Sequence, residues 1–144
     1  MGVRVAKQNE EYKLSGRVDD IYSDFNHTFR AHPNTGQIVR KTNVDAVKLA
    51  LRNLILTNKY ERLRNPRYGG NIRRYLFETI EPRIESEIAQ EIEYMVRNYE
   101  PRVQLIETKV KASEEDQAVY VRLVFYTVSA KDQQEIDLVL YKVR

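Results

Sequence analysis

The stretch Arg97-Asn98-Tyr99-Glu100-Pro101-Arg102 decides the fold, because two different hydrophobic patterns meet there. Before this stretch the apolar residues recur at helical spacing, and after it they alternate with a period of two. Pro101 lacks an amide hydrogen and disfavours the helical conformation for the residue before it, so a helix has to end here. The stretch therefore predicts a long helix that is followed directly by a β-sheet.

The helix before this junction has the strongest pattern in the chain. Pro82 suits the first position of a helix, since its missing amide would have no partner there. Glu81 and Glu85 lie near the positive end of the helix dipole, which favours acids. The apolar stripe consists of Ile84, Ile88, Ile92, Met95, Val96 and Tyr99. This spacing predicts an amphipathic helix with one buried face.

Two further helices are expected upstream. The first runs from about residue 43 to 58, with Asn43 as the predicted N-cap. Its apolar stripe consists of Val44, Val47, Leu51, Leu54 and Ile55. A short helix within residues 71–78 is expected to place Leu76 and Phe77 in the core.

Three strands are predicted after Arg102, each from an alternation of inward and outward side chains. The inward residues are Val103, Leu105, Thr108 and Val110 in the first strand, Val119, Val121, Leu123 and Phe125 in the second, and Ile136, Leu138 and Leu140 in the third, which has Val139, Tyr141 and Val143 on its other face. The loops at 113–116 and 129–133 are short and polar, which favours an antiparallel meander. Both faces carry apolar residues, so we expect the helices to cover one face and a partner to cover the other.

The start of the chain has a different character. Residues 1–18 are polar and without periodicity, which predicts an N-terminal arm that partners order. Residues 19–144 are then expected to form one α+β domain, in which two main amphipathic helices and a short helix pack on a small antiparallel sheet at the C-terminus. A short strand at 37–40, after the turn at 32–36, is one way to cover an edge of that sheet. The alternative is an edge left open to strand addition by another chain.

Composition excludes several kinds of site. The 144 residues include no cysteine, and the two histidines, His27 and His32, flank a turn, so neither a metal site nor a cofactor is expected. No serine lies in a Gly-x-Ser-x-Gly motif, which removes one class of nucleophile. No apolar run is long enough for a membrane span. A net charge of +3 is by itself too small to indicate nucleic-acid binding.

Paired carboxylates are the one catalytic option. Glycoside cleavage requires two acids about 5–9 Å apart, for which Glu78, Glu81 and Glu100 are candidates. The chain has 21 acidic residues, however, and most of them fall on solvated helix faces or in loops. A hydrolase is therefore the alternative hypothesis, and no catalytic residue is assigned.

The connection between the two main helices is the most basic segment. It contains Lys59, Arg62, Arg64, Arg67, Arg73 and Arg74, with Tyr60, Tyr68 and Tyr75 interleaved. Such a segment is compatible with a solvated loop, with docking to an acidic protein, or with nucleic acid, where arginines neutralise phosphates and rings stack on bases. Of the two binding roles we favour protein docking.

The charges around Pro101 also have two interpretations. Glu100 and Arg102 form an exposed pair of little energetic value if the junction only ends a helix. Alternatively, the fork of Arg102 captures a carboxylate of a partner through two parallel hydrogen bonds. The residue types and spacing leave both open.

The order of these motifs resembles the small baseplate wedge proteins of contractile-tailed bacteriophages. This sheath-initiator family also has a member in type VI secretion baseplates. The residues that carry the resemblance lie between about 20 and 144: Tyr22-Ser23-Asp24-Phe25, Ala46-Val47, Leu51 to Thr57, Glu61-Arg62, Asn65-Pro66, Gly69, Leu76-Phe77-Glu78 and Arg97 to Val103. One departure is Tyr60, since the family often has glycine before its Glu-Arg pair.

The resemblance implies a structural, non-enzymatic role in the virion tail, after assembly in the host cytoplasm. Several copies would lie in the baseplate around the tail tube, and the first ring of sheath subunits would add strands to their sheets. The implied partners are other wedge proteins, the sheath protein and tail tube or hub proteins. The implied docking residues are Glu100, Pro101 and Arg102, which in the family lie against the helical core of the wedge, and we add Tyr99, Arg62, Arg64 and Arg67. The family has also carried a lysozyme label, so a peptidoglycan-cleaving tail hydrolase remains the alternative.

Overall fold

The computed structural model describes residues 22–26, 28–31, 33–38, 40–78, 81–128 and 130–142. The predicted arm at 1–18, both histidines, Val39 and Val143 lie outside these ranges. The elements are β1 (Ser23–Phe25), β2 (Arg40–Thr42), α1 (Asn43–Leu56), α2 (Ile72–Leu76), α3 (Pro82–Tyr99), β3 (Val103–Ser113), β4 (Ala118–Thr127) and β5 (Ala130–Tyr141). This order of helices followed by a sheet confirms the predicted α+β class.

Strands β3, β4 and β5 form the predicted antiparallel meander, in that spatial order. The pairing of β3 with β4 shifts between Leu105 and Glu107. A bulge of this kind inserts one extra residue and so changes which side chains face inward. The inward residues of β3 are therefore Val103 and Leu105 before the bulge, and Thr108 and Val110 after it.

The core lies between the helices and the inner face of the sheet. The α3 stripe is buried as its spacing predicts, with Tyr99 half-buried at its end. The same hydrophobic cluster holds residues from α1, α2, β4 and β5: Val47, Leu51, Leu54, Ile55, Ile72, Leu76, Val119, Val121, Leu123, Phe125, Leu138 and Leu140. The inner face of the meander is thereby fixed against α3, and the junction at Pro101 connects the two layers.

Three local predictions are wrong. Phe77 is 68% exposed, because α2 ends at Leu76 after little more than one turn, and Leu76 rather than Phe77 points into the core. The N-cap of α1 is Thr42, whereas Asn43 has φ +48° and contacts Tyr22 through its backbone amide (2.7 Å) and its Oδ1 atom (3.4 Å). Strand β5 starts at Ala130, so the loop expected at 129–133 is much shorter.

The N-terminal strands form a small sheet of their own. Strand β1 pairs with β2 in antiparallel register, and Ala31 bridges to Ile38. The strand expected at 37–40 therefore lies at Arg40–Thr42, and in the described part of the chain it does not cover an edge of the meander. Among the described residues, both β3 and β5 are edge strands.

Candidate partner-docking site

The Glu-Pro-Arg corner, residues 100–102, joins α3 to β3. Helix α3 ends at Tyr99, and the amide of Glu100 still donates to the carbonyl oxygen of Val96 at 2.9 Å. The amide of Val103 then donates to the oxygen of Glu100 (3.1 Å), which makes the chain turn around the exposed Pro101. The predicted helix stop at Pro101 is thus confirmed.

The charges of the corner pair with each other inside the chain. Arg102 donates from Nε to Glu100 Oε1 at 2.5 Å and from Nη2 to Oε2 at 2.7 Å. Glu100 is only 6% exposed, so of the two interpretations of these charges the exposed pair is wrong. The hydrogen bond to Glu100 raises the pKa of Arg102 above its usual range, although burial opposes this shift. Two of the five N–H donors of Arg102 are therefore already occupied, and its predicted capture of a partner carboxylate depends on the others.

The corner also fixes the N-terminal segment. The guanidinium carbon of Arg102 lies 5.0 Å from the centre of the Tyr22 ring, within the range of a cation–π contact. Tyr22 is in turn bonded to Asn43 at the start of α1. One arginine thus connects the end of α3, the start of the sheet and the start of α1.

The basic segment folds back onto this corner as a loop at residues 58–70, which we call the basic loop. The rings of Tyr68 and Tyr99 lie 5.3 Å apart, and the guanidinium carbon of Arg62 lies 3.9 Å from the centre of the Tyr68 ring. The hydroxyl of Tyr99 donates to the backbone oxygen of Arg67. Burial raises the pKa of Tyr68, and Arg62 opposes that shift. Tyr99, Arg62 and the corner thus form one unit.

The ends of the basic loop are fixed as well. Lys59 Nζ lies 3.2 Å from Glu91 Oε1 on α3, and the same oxygen accepts from the amide of Asn71 at 3.3 Å. The amide of Gly70 donates to the oxygen of Thr57 at 3.1 Å. Contacts at both ends and in the middle therefore hold the loop in one conformation.

We expect Gly69→Ala to destabilise the protein by about 2–4 kcal/mol, because it combines a strained backbone with a steric clash. Gly69 has φ +96°, and a Cβ atom there would lie 2.3 Å from the backbone oxygen of Thr57. Gly36 is a matched control, since its φ is +67° but a Cβ atom would meet nothing within 4 Å. Gly36→Ala should cost about 1–2 kcal/mol in urea unfolding. Equal losses for the two variants would contradict a tightly closed loop.

The structure does not bring every predicted docking residue into this unit. The side chains of Arg64 and Arg67 are exposed at the tip of the basic loop, which we define as residues 60–67, and form no ion pair with any described residue. The supporting residues Tyr22, Tyr68 and Glu91 were not predicted as part of the site. Tyr68 gave a signal in the sequence as one of the aromatic residues interleaved with the arginines, and Tyr22 as part of the motif Tyr22-Ser23-Asp24-Phe25.

Three cavities lie elsewhere on the described surface. The first, about 270 Å³, lies beside β5 and is lined by Ile55, Leu56, Asn58, Ile72, Arg73, Leu76, Val139, Leu140 and Tyr141. The second, about 380 Å³, lies between α3 and β3, and the third, about 400 Å³, lies on the outer face of the sheet around Tyr120 and Arg122. The described residues contain no group of three potential metal ligands and no helix that is long and apolar enough to cross a membrane.

The comparisons with known proteins agree with this fold. Residues 41–133 match the model of the family described as baseplate wedge protein gp25. The chain is 27% identical over 118 residues to the baseplate wedge protein gp25 of Enterobacteria phage T4, a match that covers 82% of this chain and 89% of that protein. The chain therefore belongs to the gp25 family of baseplate wedge proteins, components of the baseplate of a contractile phage tail.

Two solved structures share the fold. One is a putative tail lysozyme from Geobacter sulfurreducens, with a TM-score of 0.68 and 18% identity over 74% of this chain and 97% of that one. The other comes from the baseplate of the anti-feeding prophage, with a TM-score of 0.59 and 24% identity over 84% of this chain and 85% of that one. At these identities the likeness concerns the fold alone.

Proposed function

We propose that this protein is a structural, non-enzymatic wedge subunit that initiates sheath assembly. It offers the free edge of β5 to a strand of the first sheath ring, and it is held in the wedge by the Glu-Pro-Arg corner. The observation that carries this proposal is the open β5 edge with an apolar cavity beside it. Strand addition of this kind takes its affinity from backbone hydrogen bonds and its specificity from pockets for alternate side chains.

The geometry of the sheet indicates which backbone groups of β5 are available. The amide of Lys142 donates to the oxygen of Gln117 at 2.8 Å, so it points toward β4. Antiparallel pairing alternates inward and outward groups, so the amides of Tyr141, Val139 and Asp137 point away from β4. Within the described residues these outward groups have no hydrogen-bond partner in another strand. They form a row to which an incoming strand can bind.

The edge of β3 is less available. The amide of Ala112 points outward and donates to Glu85 Oε1 on α3 at 2.8 Å. A carboxylate on an outward amide occupies a position that an added strand would need. This difference between the two edges favours β5 over β3.

The cavity beside β5 supplies the pocket that strand addition requires. It is bounded by Val139 and Leu140 on the strand and by Leu56, Ile72 and Leu76 on the helical side. Its volume of about 270 Å³ is large enough for one or two apolar side chains. A sheath strand with an alternating apolar pattern would place one face in this cavity while its backbone pairs with β5.

The other half of the proposal is the attachment to the wedge. The rigid corner presents Pro101 and the remaining donors of Arg102 to a neighbouring wedge protein, with Tyr99 and Arg62 holding the basic loop next to them. Arg64 and Arg67 add positive charge at the exposed tip of the basic loop. The surface is preformed by contacts within the chain, which lowers the entropic cost of docking. Residues 1–18 are proposed to become ordered on partners in the same assembly.

A reconstitution experiment tests this function. Baseplates assembled with and without this protein are mixed with purified sheath subunits, and sheath growth is followed by light scattering and electron microscopy. On baseplates that contain the protein, we expect sheath subunits to polymerise without a lag. On baseplates that lack it, we expect no attached sheath. Equal nucleation by both preparations would exclude an initiating role.

The alternative function is a peptidoglycan hydrolase, which the lysozyme label of one structural relative suggests. The candidate acids give it little support. Both oxygens of Glu100 accept hydrogen bonds from Arg102, and Glu78 lies 3.7 Å from Arg74. Clearing of a peptidoglycan gel by the purified protein, lost on Glu78→Gln or Glu81→Gln, would overturn the structural assignment.

A further inference from the structure

The tip of the basic loop exposes large apolar side chains. Leu63 is 99% exposed and Tyr60 is 81% exposed, the two highest values among the large hydrophobic residues that the structure describes. A single exposed apolar residue on a flexible segment is ordinary. Two of them on a loop with a fixed conformation form a surface that can bind without further ordering.

The tip is held by its own backbone. The amide of Tyr60 donates to the oxygen of Pro66 at 2.7 Å, and the amide of Tyr68 donates to the oxygen of Asn65 at 3.1 Å. Tyr60 itself has φ +69°, a left-handed conformation that is strained for a bulky residue. Such strain persists where the surrounding structure fixes it, and it concentrates at binding sites. An exposed aromatic side chain on a strained backbone is therefore evidence for a contact outside the chain.

The net charge of the tip is positive. Lys59 is paired with Glu91, and a carboxylate oxygen of Glu61 accepts from the amide of Asn58 at 2.8 Å, so both are used inside the chain. Arg64 and Arg67 have no acidic partner among the described residues. An acidic partner surface complements this arrangement.

We infer that the tip of the basic loop is a docking site that inserts Leu63, with Tyr60 beside it, into an apolar pocket with an acidic rim on a neighbouring wedge protein. Nucleic acid fits the tip less well. Arg62 covers one face of Tyr68, and Tyr75 packs against the core, so two of the three interleaved rings are not free to stack on bases. Leu63 at the centre of the tip offers a nucleic acid neither charge nor hydrogen bonds. The inference rests on the proposed place of this protein in the wedge.

Binding to a wedge complex assembled without this protein tests the inference. The probe is that purified complex, and affinity is measured by biolayer interferometry. We expect Leu63→Ser to weaken binding at least tenfold, the effect of losing a central anchor residue. Phe77→Ser is the matched control, because Phe77 is also exposed and lies outside the loop, and it should change affinity less than twofold.

The contribution of the positive charges to binding is measured in the same assay. The double variant Arg64→Gln and Arg67→Gln should bind more weakly at low salt, and added salt should affect it less than the wild type. If the wild type binds and Leu63→Ser binds equally well, the docking site is wrong while the wedge assignment stands. If the wild type itself fails to bind, the proposed function is wrong. Binding of duplex or single-stranded DNA by the tip at physiological salt would also overturn the inference.

Discussion

Arg102→Ala is expected to lower the free energy of unfolding by about 2–4 kcal/mol, because it leaves the buried carboxylate of Glu100 without its partner. Both oxygens of Glu100 are bonded to Arg102, and Glu100 has almost no access to water that could replace those bonds. The same substitution removes the cation that lies over Tyr22. Urea unfolding followed by circular dichroism measures the change.

A second ion pair of the chain supplies the control. Arg122 donates to Asp137 with the same two-bond geometry, at 2.7 and 3.2 Å, but their side chains are 55% and 59% exposed. Exposed pairs contribute little to stability, so Arg122→Ala should cost much less than Arg102→Ala. If Arg102→Ala lowers the free energy of unfolding no more than Arg122→Ala does, the burial of Glu100 does not make the corner pair more stabilising than an exposed pair.

This expected instability changes how docking by the corner has to be tested. A wedge that fails to assemble with Arg102→Ala is ambiguous, since the corner itself is destabilised. Replacing both members by methionine removes the charges without leaving one of them buried and unpaired, and such replacements are often close to neutral for stability. We expect Glu100→Met with Arg102→Met to fold and to bind the wedge complex at least tenfold more weakly. Unchanged binding by this folded double variant would contradict docking through the corner.

Val139→Pro is expected to slow sheath nucleation at least tenfold while leaving the fold intact. The amide of Val139 points away from β4, so proline removes a donor that only an added strand would use. The ring of the proline also obstructs the edge against an incoming backbone. In the reconstitution assay we expect the rate of nucleation to fall at least tenfold, and circular dichroism verifies that the sheet remains.

The opposite edge provides the matched variant. Val110 lies on β3, where its amide points outward like that of Ala112, two residues further along the strand. Val110→Pro should have little effect on nucleation, because strand addition is proposed at β5. If Val110→Pro abolishes nucleation and Val139→Pro does not, the incoming strand binds β3 and the choice of edge is wrong.

The sequence predicts best those elements that a local pattern defines. The stripe from Ile84 to Val96 has helical spacing over several turns, and its burial follows from that spacing. The alternation of β4 from Val119 to Phe125 likewise determines its inner face. The inward residues of β3 were also predicted, but the bulge between Leu105 and Glu107 that changes their spacing was not. Pro101 marks the boundary between α3 and the sheet, because a proline ring ends a helix without help from distant contacts.

The errors concern features that depend on distant contacts. No local pattern shows that Arg102 pairs with Glu100 rather than with another protein, because the choice depends on how the chain turns around Pro101. The stacking of Tyr68 on Tyr99 joins residues from separate elements, so spacing cannot reveal it. The pairing of β1 with β2 is of the same kind, and for that reason the sequence left open whether the segment near residue 38 covers an edge of the main sheet.

Amide hydrogen exchange across β5, in the free protein and in its complex with the sheath subunit, tests the central claim most directly. In the free protein we expect the outward amides of Asp137, Val139 and Tyr141 to exchange fast, and the inward amides of Leu138 and Leu140 to exchange slowly. Binding of the sheath subunit should slow the outward amides to the rate of the inward ones, because an added strand bonds them. Sheath binding that leaves these three amides fast would contradict strand addition at β5.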